Sequence, residues 1–202
     1  MPVDVHPHPR SVELMKKNTA AWASDLARSQ LEIPLPRRWA HTQGVAHQAR
    51  TLAPLLGENA DLLEAAAWLH DIGYAPGLIS TGFHPLDGAR YLRQIHDTHE
   101  QLSRLVAHHS CALVEAHERG LAHDLIQEFG SEPPSLSVPL TYCDMTTGPG
   151  GDRLSVEERI SEVLARYGNG HIVAKAIQVA HPTLVGSVQV VHQSLLISQR
   201  TA

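Results

Sequence analysis

Histidine is the residue type that first suggests chemistry in this chain, at 15 of 202 residues. Imidazole is the commonest metal ligand and titrates near neutral pH, so the positions that matter are those a helix would turn inward. His41 precedes Val45 by four residues and Ala49 by eight, and His70 follows Ala66 by four and is succeeded at once by Asp71. Asp144 follows Leu140 by four residues within LSVPLTYCDM, and His109 follows Leu105 by four and Leu102 by seven. Such spacings share one helix face, so His41, His70, His109 and Asp144 are expected to point into a core, with Asp71 directly beside His70. His108 is rotated by about 100° from His109, onto the flank of that stripe. A slip of one residue in that helix would exchange the two.

A buried carboxylate is costly unless it is paired or bound to a metal. Any one of these histidines alone reads as a core imidazole bonded to a carbonyl, but the adjacent His70 and Asp71 after an apolar helix are less easily absorbed that way. With two inward carboxylates, several imidazoles and no inward Lys or Arg evident, a divalent cation is the simplest compensating charge. Imidazole and carboxylate ligands suit Fe, Mn, Zn or Co, and the lack of thiolates argues against a soft-metal site.

The elements that must position these residues are helical almost throughout. Val12, Met15, Thr19, Trp22 and Leu26 predict a helix over 11–30. A second starts near Pro36, carries His41, Val45, Ala49 and Leu52 on one stripe, and ends at Gly57. Gly44, one turn beyond His41, leaves room for a backbone or ligand to approach closely. Asn59 is placed to cap a third helix with Leu62, Leu63, Ala66, Leu69 and His70 inward, stopping at Gly73. After the glycine-rich loop from Gly73 to Gly82, Pro85 opens a helix lined by Leu86, Ala89, Leu92 and Ile95, and Leu102, Leu105 and Val106 line the next. Residues 135–145 form another, and Ser155 with Glu158 spells a capping box ahead of Val156, Ile160 and Val163. Two further helices are expected over 170–180 and 182–198. With no strand alternation and no internal repeat, the sequence predicts a compact all-α domain over 11–200, preceded by an extended arm at 1–10.

Composition bounds the rest. A chain with 43% hydrophobic residues, 18% charged residues and a net charge of −5 can bury a sizeable core and lacks the basic face of a general nucleic-acid binder. Cys111 and Cys143 have no CxxC spacing, so neither a disulfide framework nor a thiolate zinc site is expected, and Cys143 reads as packing. No apolar run approaches the roughly 18 residues of a spanning helix, and a cytoplasmic protein without a membrane partner is expected. The pairs Lys16-Lys17 and Arg37-Arg38 read as solvated helix faces, and the cluster His96, Asp97 and His99 falls at a helix junction.

RRWAHTQGVA, WLHDIG, FHPLDGARYL, VAHHS and TYCDMTT occur in order across 36–165, carrying His41, His70-Asp71 and Asp144 as H…HD…D. This pattern resembles the HD-domain superfamily, an all-helical bundle of metal-dependent phosphohydrolases; five elements in order are far more specific than an HD dipeptide. The spellings HTQGVA and HPLDGA look most like the YqeK-type symmetrical dinucleotide-tetraphosphate hydrolases, whose centre is dinuclear. The resemblance implies two divalent cations. His41, His70 and Asp144 would hold one, His84 and His109 the other, and Asp71 would bridge. Two cations about 3.5–4 Å apart can clamp a phosphate and share a hydroxide that attacks phosphorus. The implied reaction is hydrolysis of a phosphomonoester or phosphoanhydride in a small nucleotide-like substrate. Tyr74, where some HD proteins have lysine, and Arg153 are the expected substrate contacts. His108 is expected to act catalytically beside Asp71, as a general acid or as a hydrogen-bond partner of a ligand.

The same six ligands also resemble HD-fold mixed-valent di-iron oxygenases, which cleave C–C or C–P bonds with dioxygen. A non-catalytic, metal-binding regulatory module is a third reading.

Overall fold

The computed structural model describes residues 19–96 and 99–201. The arm at 1–10, the first turns of the helix expected over 11–30, and Asp97 of the His96–His99 cluster lie outside them. Among the described residues every regular element is helical, the sole pairing of extended backbone being an isolated bridge between Thr147 and Arg153. No helix among the described residues is long and apolar enough to cross a membrane.

The chain begins with α1 (Thr19–Leu31), α2 (Pro36–Thr51), the single turn α3 (Ala53–Leu56) and α4 (Ala60–Leu69). The helix expected to reach Gly57 stops at Thr51, because Pro54 offers no N–H to continue the ladder and the chain restarts as α3. Asn59 occupies the position before α4 but its side chain makes no capping bond. The α1 start is instead held by Asp61, which accepts from the Thr19 and Ala20 amides at 3.0 and 3.3 Å. Ala65, Ala66 and Ala67 are fully buried, and these small side chains let α1, α2, α6 and α9 close around α4. With Asp61 and Glu64 as its only charged residues, so apolar a helix belongs at the centre of the bundle. Leu63 and Leu69 of α4 are fully buried as well, each worth about 1.5–3 kcal/mol by transfer.

Short 3-10 turns at Ile72–Tyr74 and Pro76–Leu78 lead into α5 (His84–His96), with Pro85 in its first turn as the sequence predicts. Then follow α6 (Glu100–His108), a turn at His109–Cys111, α7 (Ala112–Arg119), α8 (Ala122–Phe129), α9 (Pro134–Met145), α10 (Val156–Tyr167) and α11 (Ile172–Thr201). The Ser155–Glu158 capping box at the start of α10 forms in both directions. The two helices expected at the C-terminal end are one, with Pro182 inside it. Pro182 costs one ladder bond, but Ala180, Leu184, Val188 and Val191 form an unbroken buried stripe, and α11 packs against α9. Continuous packing on that face outweighs the local break.

Candidate metal centre

Helix ends converge on one point. His70 and Asp71 follow the last turn of α4, His84 opens α5, His109 follows α6, and Asp144 is the penultimate residue of α9, while His41 enters from the middle of α2. His41, His70, Asp71, His109 and Asp144 are all buried, and His84 is half-buried. The six residues singled out as ligands therefore occupy one site.

Asp71 is its hinge. Its Oδ2 lies 3.2 Å from His70 Nε2 and 3.8 Å from His41 Nε2, while Oδ1 lies 3.2 Å from His84 Nε2 and 4.0 Å from His109 Nε2. Asp144 joins the first half through Oδ1, 3.0 Å from His41 Nε2. Two groups able to hold a cation result, His41–His70–Asp71 and Asp71–His84–His109, with Asp71 common to both.

The ring nitrogens turned away from the centre are committed to the backbone. His41 Nδ1 bonds the Gly148 carbonyl at 3.0 Å, His70 Nδ1 that of Ala67 at 2.7 Å, and His109 Nδ1 that of Val106 at 2.7 Å. A carbonyl accepts only, so each Nδ1 carries the proton and each Nε2 can present a lone pair inward. His70 Nε2 is buried with no hydrogen-bond partner, and the Nε2 atoms of His84 and His109 face each other at 3.1 Å. Inward lone pairs on this N/O donor set fit a divalent cation.

Close backbone contacts fix the ligands. A Cβ on Gly44 would stand 2.5 Å from the Gly151 carbonyl oxygen, so the bare backbone of α2 is what lets the loop carrying Gly148 reach His41. A Cβ on Gly73 would meet the His84 carbonyl at 2.1 Å, which ties the turn after Asp71 to the start of α5. One turn into α5, buried Asp87 accepts from the amides of Ser80, Thr81 and Gly82 at 2.9–3.2 Å and orders the loop before His84. The Ser110 hydroxyl donates to Asp144 Oδ2. Both Ser110 and Cys111 are left-handed, with φ of 47° and 62°.

Two arginines correct the expectation that no cationic side chain faces the carboxylates. Arg38 Nη1 lies 2.6 Å from Asp71 Oδ2, and Arg159 Nη2 lies 3.7 Å from Asp144 Oδ1. Charge balance alone therefore does not require a cation; the imidazole arrangement is what fits one. Arg38 is not the solvated residue its neighbour Arg37 suggests, since it sits three residues before His41 and shares its face. Arg159 is 5% exposed and lies on the stripe of Val156 and Val163, a signal present in the sequence but masked by its charge.

Burial pushes the Asp71 carboxyl up, but Arg38 and His70 outweigh it and hold the group well below the carboxylate range. Asp144 behaves alike: burial opposes, and His41 and His70 prevail. Burial lowers His41 despite Asp144, and burial with its neighbours His84 and His70 takes His109 down to about 3. Burial also works against a proton on His70, yet Asp71 overcomes it and raises that ring.

A cavity of about 90 Å³ opens beside the cluster, with Arg38, Arg159, Arg166 and Tyr74 on its wall. Tyr74 stacks on His84 with centroids 3.9 Å apart and lies 4.0 Å beneath the Arg38 guanidinium carbon. The other two expected residues are elsewhere. His108, the last residue of α6, falls on the far flank of the helix, where its ring lies beside the Gly130 backbone. Arg153 is exposed and donates to the Tyr142 hydroxyl at 3.0 Å, because the Thr147–Arg153 bridge turns it outward.

A family profile described as HD domain matches residues 38–160. The chain belongs to the HD domain family. The HD match encloses all six clustered residues, and HD domains form a superfamily of metal-dependent phosphohydrolases. A ribonuclease Y of Rubrobacter xylanophilus is 36% identical over 70 residues, a stretch covering 35% of this HD chain and 14% of that relative. The HD chain thus matches only about one-seventh of that protein's length. No solved structure matches.

Proposed function

We propose that this HD protein is a dinuclear metal-dependent phosphohydrolase acting on a small phosphorylated, nucleotide-like substrate. One observation carries the reading: Asp71 turns one carboxylate oxygen to His41 and His70 and the other to His84 and His109. His41, His70 and Asp144 would hold one cation, His84 and His109 the other, with Asp71 between. When bound, such ions supply Lewis acidity and water of lowered pKa.

The chain's own residues supply the rest. Arg38, Arg159 and Arg166 on the cavity wall bind and orient the phosphoryl oxygens, as planar guanidinium groups do well. Burial drives the Tyr74 phenol well above its ordinary value, so it stays protonated and can donate to a substrate oxygen. Backbone carbonyls hold the His41, His70 and His109 rings and keep their protons on Nδ1. His108 has no part in this scheme.

The arginine wall suits an anionic phosphoryl substrate and so speaks against a C–C-cleaving oxygenase acting on a neutral one. A C–P-cleaving oxygenase shares both wall and ligands, and dioxygen dependence decides between it and the hydrolase. The test is metal analysis of protein purified without added metal, together with turnover of phosphorylated substrates with and without dioxygen. Close to two equivalents of metal and O2-independent phosphate release are expected, both lost in Asp71→Ala with helicity retained. Obligate dioxygen consumption would establish the oxygenase, and bound metal with no turnover of any kind the regulatory module.

A further inference from the structure

A second chamber, of about 390 Å³, adjoins the metal-side cavity. The two share Arg38, Arg159 and Arg166, so three guanidinium side chains form the boundary between them. Arg37 joins these three on the outer wall, and no Asp or Glu lines that chamber. Among the described residues Arg37 has no acidic partner, and Arg159, though 5% exposed, keeps its Nε buried without a hydrogen-bond partner. Carboxylates already engage three of the four arginines, each from outside the lining of that chamber. Asp71 bonds Arg38, Asp144 lies 3.7 Å from Arg159, and Glu162 accepts from both Arg159 and Arg166. Arg37, without an acidic partner, and the unbonded Nε of Arg159 are therefore the donors left for an anion, and a donor left unmade in a buried guanidinium is costly until an acceptor arrives.

We propose that the outer chamber is a second anion subsite, so that the substrate carries a phosphate or carboxylate group in addition to the phosphoryl group at the metal centre. This rests on the phosphohydrolase reading, which assigns the inner cavity to the scissile phosphoryl group. The volumes support the division: the inner cavity has room for little beyond that group, and the outer one is within the range of small-molecule sites. Its Pro34, Leu35, Pro36 and Pro149 walls offer an apolar surface to whatever joins the two anions.

The test measures binding calorimetrically on the full chain. α,ω-Alkanediol bisphosphates with two to six carbons are compared with alkyl monophosphates of equal length and with ω-phosphooxy carboxylates. At the best length, at least one doubly charged series is expected to bind at least tenfold more tightly than the monophosphates. Which series gains identifies the second group. Arg37→Ala, an exposed position, is expected to narrow that gap at least threefold. Equal affinities within twofold, or a gap unchanged in Arg37→Ala, would overturn the subsite. Turnover and metal content are scored separately: protein without metal or phosphatase activity that still shows the Arg37-dependent gap would refute the hydrolase reading and keep the anion site.

Discussion

Arg38 reaches from α2 to Asp71, placing Nη1 2.6 Å from the carboxylate oxygen that also faces His70. The pair is largely withdrawn from water, with side-chain exposures of 19% and 4%. Removing one partner of a buried pair costs about 3–5 kcal/mol, because the other charge stays buried alone. Arg38→Ala is therefore expected to destabilise chelator-treated protein by about 3 kcal/mol. A bound cation would neutralise Asp71 instead, so the loss should be much smaller in metal-loaded protein. Thermal unfolding of both proteins with and without chelator checks this; an equal loss in the two states would show that Asp71 has no metal partner.

The buried imidazoles set a pH optimum for the metal-free fold. His41 and His109 have pKa values depressed from the ordinary 6.5, so below 6.5 the unfolded chain binds protons that the folded one refuses. Stability should therefore fall as pH drops from 6.5, by up to about 1.4 kcal/mol per pH unit for each group. His70 runs the other way: its raised pKa gives a contribution fully present below 6.5 and lost as pH rises through the folded value. Asp71 and Asp144 contribute above 3.8 and lose their contribution in stronger acid. Urea midpoints of chelator-treated protein should pass through a maximum near pH 6.5; a monotonic rise from pH 5 to 8.5 would contradict the assignment of His70.

The inward placement of His41, His70, His109 and Asp144 was legible because helical period and apolar neighbours agree at each position, and Asp71 through its adjacency to His70. His84 was legible only through a family pattern, since it opens a helix after a loop and has no stripe of its own. The arginines were not legible, for a physical reason. Arginine on a helix face is ordinarily solvated, and only the fold brings Arg38 of α2 to Asp71 and Arg159 of α10 to Asp144. His108 misled because catalytic roles depend on which flank of a helix end faces the site, a rotation that spacing does not fix. The continuity of α11 through Pro182 likewise depends on tertiary packing that overrides a local breaker.

Ser110 and Cys111 hold consecutive left-handed conformations, at φ 47°, ψ 44° and φ 62°, ψ 32°. Each costs a residue with a Cβ about 1–2 kcal/mol. Cys111→Gly should therefore stabilise the protein by about 1 kcal/mol. Ser110→Gly also relieves strain but gives up the bond to Asp144, and a hydrogen bond to a charged group is worth about 1.5–3 kcal/mol. Ser110→Ala loses the bond and keeps the strain, so it should be the least stable of the three. Urea unfolding gives the order, and a Ser110→Ala variant as stable as wild type would show that the hydroxyl does not support Asp144.

Gly44 links packing to the metal centre directly. A Cβ there would stand 2.5 Å from the Gly151 carbonyl oxygen and 2.6 Å from Thr147 Cγ2, distances at which the loop must move. That loop carries Gly148, whose carbonyl accepts the His41 Nδ1 proton. Gly44→Ala should thus release the His41 ring as well as strain the fold, and loss of an outer hydrogen bond to a ligating histidine typically costs 10–100-fold in metal affinity. Gly77→Ala is the matched control, since nothing lies within 4 Å of its Cβ, and it should leave both stability and affinity near wild type. Titration with Mn or Zn alongside thermal unfolding separates the two effects. If Gly44→Ala lowers stability but binds metal as wild type does, the Gly148 carbonyl is not what orients His41.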